Sequence, residues 1–161
     1  GKWEQIPEIE EVLELLESNI KSGLKLNIEL KNSVFPYEGM EEKIIELVYR
    51  RGLEKQVIYS SFSALSLERV NAIDPSAKTG ILDRKVSDCL YKLRGGCGAN
   101  ALHPFWKGID LTRERIEGYT VRAWFTGHLY PEESTGNKLD LEVLKMQGIT
   151  DVFLNEPEIY L

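Results

Sequence analysis

Apolar positions along the chain switch repeatedly between the spacing of helices and the short runs of buried strands. Ile6-Pro7-Glu8 opens a helix, with Pro at its start and acids in the first turn. Ile9, Val12, Leu13, Leu15 and Leu16 then recur at helical spacing, and the stretch from Ser18 to Gly23 ends the helix. Lys25 to Lys31 reads as a parallel-type strand. Met40 to Arg51 is a second helix, with Ile44, Ile45, Leu47 and Val48 as its apolar set and Gly52 as its C-terminal cap. Val57 to Phe62 is a strand, Leu65 to Ile73 a helix stopped before Asp74-Pro75, and Thr79 to Leu82 a short strand. Val86 to Leu93 is helical, and Gly95 to Gly98 is a flexible break. Ala99 to Pro104 is a strand, Thr112 to Glu117 a short helix and Tyr119 to Phe125 a strong strand. A polar loop spans Thr126 to Asn137, Leu139 to Gln147 is a helix capped by Gly148, and Val152 to Leu154 closes the series as a strand.

The pattern is thus about six strands alternating with helix-length stretches, as in a parallel sheet of the α/β class. Neither a sequence repeat nor a linker interrupts it, so residues 1–161 form a single domain. Two shapes fit: an open doubly wound sheet or a barrel. A complete (β/α)8 barrel has eight strands in about 250 residues, more than this chain supplies. No Gly-rich phosphate loop follows any strand, which argues against a dinucleotide-binding open sheet. Pattern alone leaves the choice open.

Composition narrows the partners. Hydrophobic residues make up 42% and charged residues 29%, as in an ordinary soluble domain. A net charge of -6 supplies no basic excess to neutralise phosphates, so nucleic acid is not an expected partner. No apolar run reaches the roughly 20 residues of a transmembrane helix, and the first residues are not a signal peptide. Cys89 and Cys97 make neither a metal nor a disulfide signature and fit reduced thiols, hence a cytoplasmic location.

Candidate chemistry begins at the end of the first strand. Glu29 and Lys31 are two residues apart, so in an extended chain they point to one side. An acid and a base sharing the inward side of a strand require pairing or a ligand. Strand ends are where parallel α/β folds bind ligands, and the loop from Asn32 to Gly39, with Phe35, Pro36 and Tyr37, follows directly. His103 and His128 follow neighbouring strands and are the two histidines of the chain. A histidine pair on one rim could serve as acid and base.

Several segments resemble the glycerophosphodiester phosphodiesterases. Ile6 to Leu13 is similar to their IPTLEEVL segment, Leu26 to Lys31 to their LNIEIK strand, and Val57 to Phe62 to their VIISSF strand. Val121 to Trp124 resembles their seventh strand, and Gly148 to Pro157 their closing GVDGIITDRP segment. The matches run in order over nearly the whole chain.

The resemblance implies a (β/α)8 TIM barrel of the phosphodiesterase type, here an incomplete barrel of about six parallel strands corresponding to strands three to eight. The family's first two strands carry a His-Arg-Gly motif, a Glu-x-Asp metal pair and a His-Asp motif, and none of these occurs here. The stretch between Asp110 and Tyr119 is also shorter than the family's helix. By resemblance, Glu29 is a carboxylate ligand of a divalent cation, Mg²⁺ or Ca²⁺; its alternative is an ion pair with Lys31. Lys31 is carried over as a contact to substrate phosphate or to the metal-site carboxylates, Phe62 as an apolar wall for glycerol, and Trp124 as a pocket-lining ring. His103 stands where relatives carry a polar residue, which implies a substrate-side hydrogen bond. Catalytic histidines are expected from the absent segments, so neither His103 nor His128 inherits that role, and no catalytic residue is assigned to this chain. Thr126-Gly127 stands where the family continues with Asn after the Trp.

The implied reaction is metal-dependent hydrolysis of a small-molecule glycerophosphodiester to glycerol 3-phosphate and an alcohol, with this chain inactive by itself. The competing readings are a non-catalytic scaffold of the same fold and another phosphate-binding α/β enzyme. An incomplete barrel has open sheet edges, which invite homo-oligomers or aggregation.

Overall fold

A computed structural model describes residues 5–109, 113–125 and 140–154. The elements follow in the order α1 (Ile9–Lys21), β1 (Leu26–Glu29), α2 (Met40–Arg50), β2 (Val57–Ser61), α3 (Ala64–Ile73), β3 (Lys78–Asp83) and α4 (Val86–Lys92). A five-residue π turn, Leu93–Cys97, then leads to β4 (Ala101–Pro104), α5 (Arg113–Ile116), β5 (Thr120–Trp124), α6 (Leu141–Met146) and β6 (Asp151–Phe153). All six strands are parallel, and their order in the sheet is their order in the chain.

Sequential order resolves what the pattern left open. A doubly wound sheet reverses direction at a switch point, whereas this sheet adds each strand on the same side of the last and curls as part of a (β/α)8 barrel. The expected strand starts agree with the structure to within two residues. Ala99 and Asn100 precede β4 because the Asn100 side chain is used locally: its Oδ1 accepts from the Thr79 backbone N–H. Lys31 and Phe62 lie just beyond the ends of β1 and β2, in the first loop residues. Gly52 and Gly148, expected to close the second and last helices, have φ of 69° and 93°, a backbone region that disfavours any side chain.

The sheet has two different faces. Val57, Tyr59, Ile81, Leu102, Val121, Ala123 and Phe125 alternate toward the helices and are buried there. Leu13, Ile20, Ile44, Ile45, Leu47 and Val48 cover β1 and β2 from α1 and α2. Val86, Cys89, Leu90, Ile116 and Leu144 cover the remaining strands. Both cysteines are buried and unbridged, and burial pushes the Cys89 thiol up to about 12. No described helix is long and apolar enough to cross a membrane.

On the inner face the register sets Glu29 beside Ser60, Ser60 beside Gly80, Gly80 beside Ala101 and Ala101 beside Thr120. From Ser60 to Thr120 this is a row of small side chains. The next row toward the C-terminal rim is large: Leu82 pairs with His103, and Arg122 with Asp151. Small below and large above lets the upper side chains lean down. A Cβ built on Gly80 would stand 2.2 Å from the His103 ring, so glycine is required there for close approach.

Candidate functional site

The C-terminal rim of the sheet collects the residues singled out from the sequence, in two groups. Glu29 and Lys31 stand at β1, the first strand of the sheet. Phe62, His103 and Trp124 stand together further along, at β2, β4 and β5.

The β1 group differs from the expectation of a costly inward pair. Both side chains are exposed, and no ion pair joins Glu29 to Lys31 or either of them to another described residue. The physical reason is position. β1 has a neighbour on one side among the described strands, so its inner face is open to water and neither charge needs a partner. Both are therefore available to a ligand. The backbone beside them is held firmly. The Leu30 N–H donates to the Ser60 carbonyl at 2.7 Å, and the Ser61 hydroxyl donates to the Leu30 carbonyl at 2.8 Å.

The second group is an aromatic cluster. Trp124 lies 6.0 Å from Phe62, edge to face, and 4.6 Å from Phe105, centroid to centroid. Its indole N–H donates to the carbonyls of Asp83 at 3.2 Å and His103 at 3.1 Å, closing the ends of β3 and β4. The ring is thus fixed by its polar edge and presents apolar surface, which suits a wall better than a hydrogen-bonding contact. Lys92 from α4 performs the matching task on β2 and β3. Its ammonium pairs with Asp83 at 2.7 Å and donates to the carbonyls of Phe62 and Leu82.

His103 is not at the surface of the rim. It is fully buried, its ring 5.2 Å from Phe153, and its Nε2 lies 3.2 Å from Nη1 of Arg122. Arg122 has no acceptor lone pair, so Nε2 accepts and the ring proton sits on Nδ1. Nδ1 finds no partner among the described residues. Burial, and then the Arg122 charge, lower the His103 pKa to about 3, so the ring is neutral at ordinary pH. Arg122 is anchored in turn by Asp151, Nε to Oδ2 at 3.3 Å. The His103 ring is buried among the described residues, and the residue meets the rim through its carbonyl, which holds Trp124. His128 and the Thr126-Gly127 segment lie outside the described residues.

Sequence reading missed Arg122 and Asp151. Arg122 did carry a signal, since it shares the inward parity of Trp124 within an apolar strand. A divalent cation would find Glu29 unpaired and correctly hard as an oxygen donor. Among the described residues, however, no group of three His, Cys, Asp or Glu is clustered closely enough to hold a metal. Among the described residues Glu29 is thus a single ligand rather than a complete site.

Comparison with known proteins was made on this footing. No protein-family model matches the chain. The chain is 30% identical over 155 residues to a protein of Caldanaerobacter subterraneus subsp. tengcongensis named glycerophosphodiester phosphodiesterase, covering 96% of this chain and 60% of that one. A Bacillus altitudinis protein of the same name is 36% identical over 111 residues, covering 69% of this chain and 44% of the other. Among solved structures, an Oleispira antarctica phosphodiesterase in complex with the product sn-glycerol-3-phosphate superposes with a TM-score of 0.64. It is 24% identical, with 92% of this chain and 57% of that one covered. The chain therefore spans roughly half the length of the proteins it matches.

Proposed function

We propose, from the premise that this chain belongs to the glycerophosphodiester phosphodiesterase family over the length it spans, that it supplies six strands of a barrel hydrolysing glycerophosphodiesters to glycerol 3-phosphate and an alcohol. The observation that carries this reading is the unpaired Glu29 and Lys31 at the C-terminal rim of an all-parallel, sequentially ordered sheet. That rim is where barrels of this kind place their chemistry.

In the completed barrel Glu29 is one carboxylate ligand of Mg²⁺ or Ca²⁺, which would polarise the phosphate and favour an oxygen nucleophile. Lys31 sets a cation against a phosphate oxygen, where negative charge develops. Phe62 and Trp124 form the apolar wall for the glycerol carbons. His103 serves this wall from below through its carbonyl. Proton transfer falls to groups outside this chain.

By itself the 161-residue polypeptide is expected to bind a phosphate ester loosely and to turn nothing over. Positioned acid-base groups contribute about 10²–10⁴-fold each, and among the described residues Glu29 has no second and third ligand beside it with which to hold a hard cation. The test is release of glycerol 3-phosphate from glycerophosphocholine with added Mg²⁺ or Ca²⁺. No turnover is expected from the chain alone. Turnover is expected when a segment carrying a relative's first two strands is added. Robust turnover by the chain alone, lost on His103→Ala, would overturn the assignment of proton transfer elsewhere. The edge of β1, free among the described strands, also favours self-association of the isolated chain; sedimentation as a clean monomer would refute that part.

A further inference from the structure

A second polar cluster lies just behind Lys31, on the helix-facing side of the sheet. Glu41, the second residue of α2, is fully buried. Its Oε1 accepts from Asn32 Nδ2 at 2.7 Å and from the Ser66 hydroxyl at 2.6 Å. Asn32 Nδ2 also donates to Ser66 Oγ at 2.9 Å. The Ser61 hydroxyl is 3.4 Å from Asn32 Oδ1 and accepts from the Ser63 N–H at 3.0 Å. Ser63 caps α3 by accepting from the Ser66 N–H. Arg69 approaches Oε1 only to 3.8 Å from a half-exposed position, and Oε2 has no partner among the described residues. A carboxylate so enclosed, with neutral donors in place of a close cation, is an unfavourable way to fill a core. The N-terminal turn of α2 offsets part of that cost.

The cluster joins four elements at one point: the end of β1, the end of β2, and the first turns of α2 and α3. Lys31 sits between its two grips. Leu30 is tied on one side by Ser60 and Ser61, and Asn32 on the other by Glu41 and Ser66. A residue just beyond the end of its strand would otherwise sample many backbone conformations. We propose that Asn32 and Glu41 are positioning residues that fix the backbone carrying Lys31, and with it the direction in which its ammonium meets a phosphate oxygen. The phosphate part of this proposal rests on the reading of Lys31 given above.

Two measurements on the full chain separate the two claims. The first is amide hydrogen exchange and ¹⁵N relaxation over residues 29–33. Asn32→Ala and Glu41→Ala are expected to speed exchange there while α3 and β3 keep their protection. Glu41→Gln, which retains the acceptor for Asn32 and Ser66, is expected to recover most of the protection. The second is the affinity for sn-glycerol 3-phosphate, followed by NMR titration. Asn32→Ala is expected to weaken it about tenfold, the effect of losing one or two hydrogen bonds' worth of ordering, and Glu41→Gln to stay near the parent value. Should the alanine variants fail to fold, Ser66→Ala, which removes one donor, is expected to give a smaller change of the same kind. Unchanged exchange at 29–33 in Asn32→Ala or Ser66→Ala would overturn the positioning role, as would lost affinity in Lys31→Ala with none lost in Asn32→Ala. Unchanged affinity in Lys31→Ala would instead refute the phosphate reading, and hydrogen exchange alone would then decide the backbone claim.

Discussion

Glu41 and His103 are both fully buried ionisable residues, on opposite faces of the same sheet, and their surroundings treat them in opposite ways. Around Glu41, at β1 and β2, neutral amide and hydroxyl donors converge on one carboxylate oxygen, with a helix N-terminus behind it. Around His103, at β4 to β6, burial and then the Arg122 guanidinium keep an imidazole that packs against Phe153 uncharged. Donors collected around one side-chain oxygen hold loops in place at the cost of a buried polar group. A neutral ring packed against Phe153 behaves like core and couples to pH through the proton it refuses. The difference matters for function because the first cluster stands behind the exposed Lys31, whereas the second stands under the Trp124 wall.

The comparison can be broken most forcefully at Glu41. Glu41→Ala leaves the Asn32 amide and Ser66 hydroxyl without their acceptor and should cost about 3 kcal/mol in urea unfolding. A change under about 1 kcal/mol would mean that water already satisfies the cluster. Next comes Gly80→Ala, on the other face. Its methyl would collide with the buried His103 ring, so about 2 kcal/mol of destabilisation is expected from overpacking. Combining it with His103→Ala should recover much of that loss; simple additivity of the two would show that the contact is not the cause.

A third test is pH. In the fold the His103 pKa lies near 3, below its ordinary value of 6.5. The unfolded chain therefore takes up a proton that the folded chain does not. This contribution to stability is complete above about pH 6.5 and is lost as pH falls from there toward 3. At its steepest the loss is about 1.4 kcal/mol per pH unit, and His103→Gln should flatten it. Equal pH profiles for parent and variant would contradict a neutral, buried ring. The smallest effect is expected at Asp151, which is 53% exposed where it pairs with Arg122. Asp151→Asn should cost about 0.5 kcal/mol and less at high salt; a loss of several kcal/mol would mean that Arg122 depends on that pair to hold His103.

Much of the architecture was legible in the residues because it is local. The apolar sets of α1 and α2, the helix-ending Gly52 and Gly148, and the six strands all follow from spacing within a few residues. Alternation with helix-length segments likewise makes the strands parallel. The charges at Glu29 and Lys31 could be picked out in the same way, because they lie at the end of a strand, whereas Phe62 and Trp124 were singled out through the family resemblance. What local pattern could not decide was exposure and partnership. In sequence Glu41 is indistinguishable from Glu42, one more acid in a helix's first turn. Its burial arises because Asn32, nine residues earlier, and Ser66, 25 residues later, come to the same point. Likewise Arg122 finds His103 and Asp151 only once β4, β5 and β6 lie side by side, and Glu29 and Lys31 stay unpaired because β1 has a single neighbour among the described strands. Backbone periodicity is written within a few neighbouring residues, whereas the desolvation and hydrogen bonding of a charge depend on every chain segment that reaches it, and those are chosen by the packed sheet.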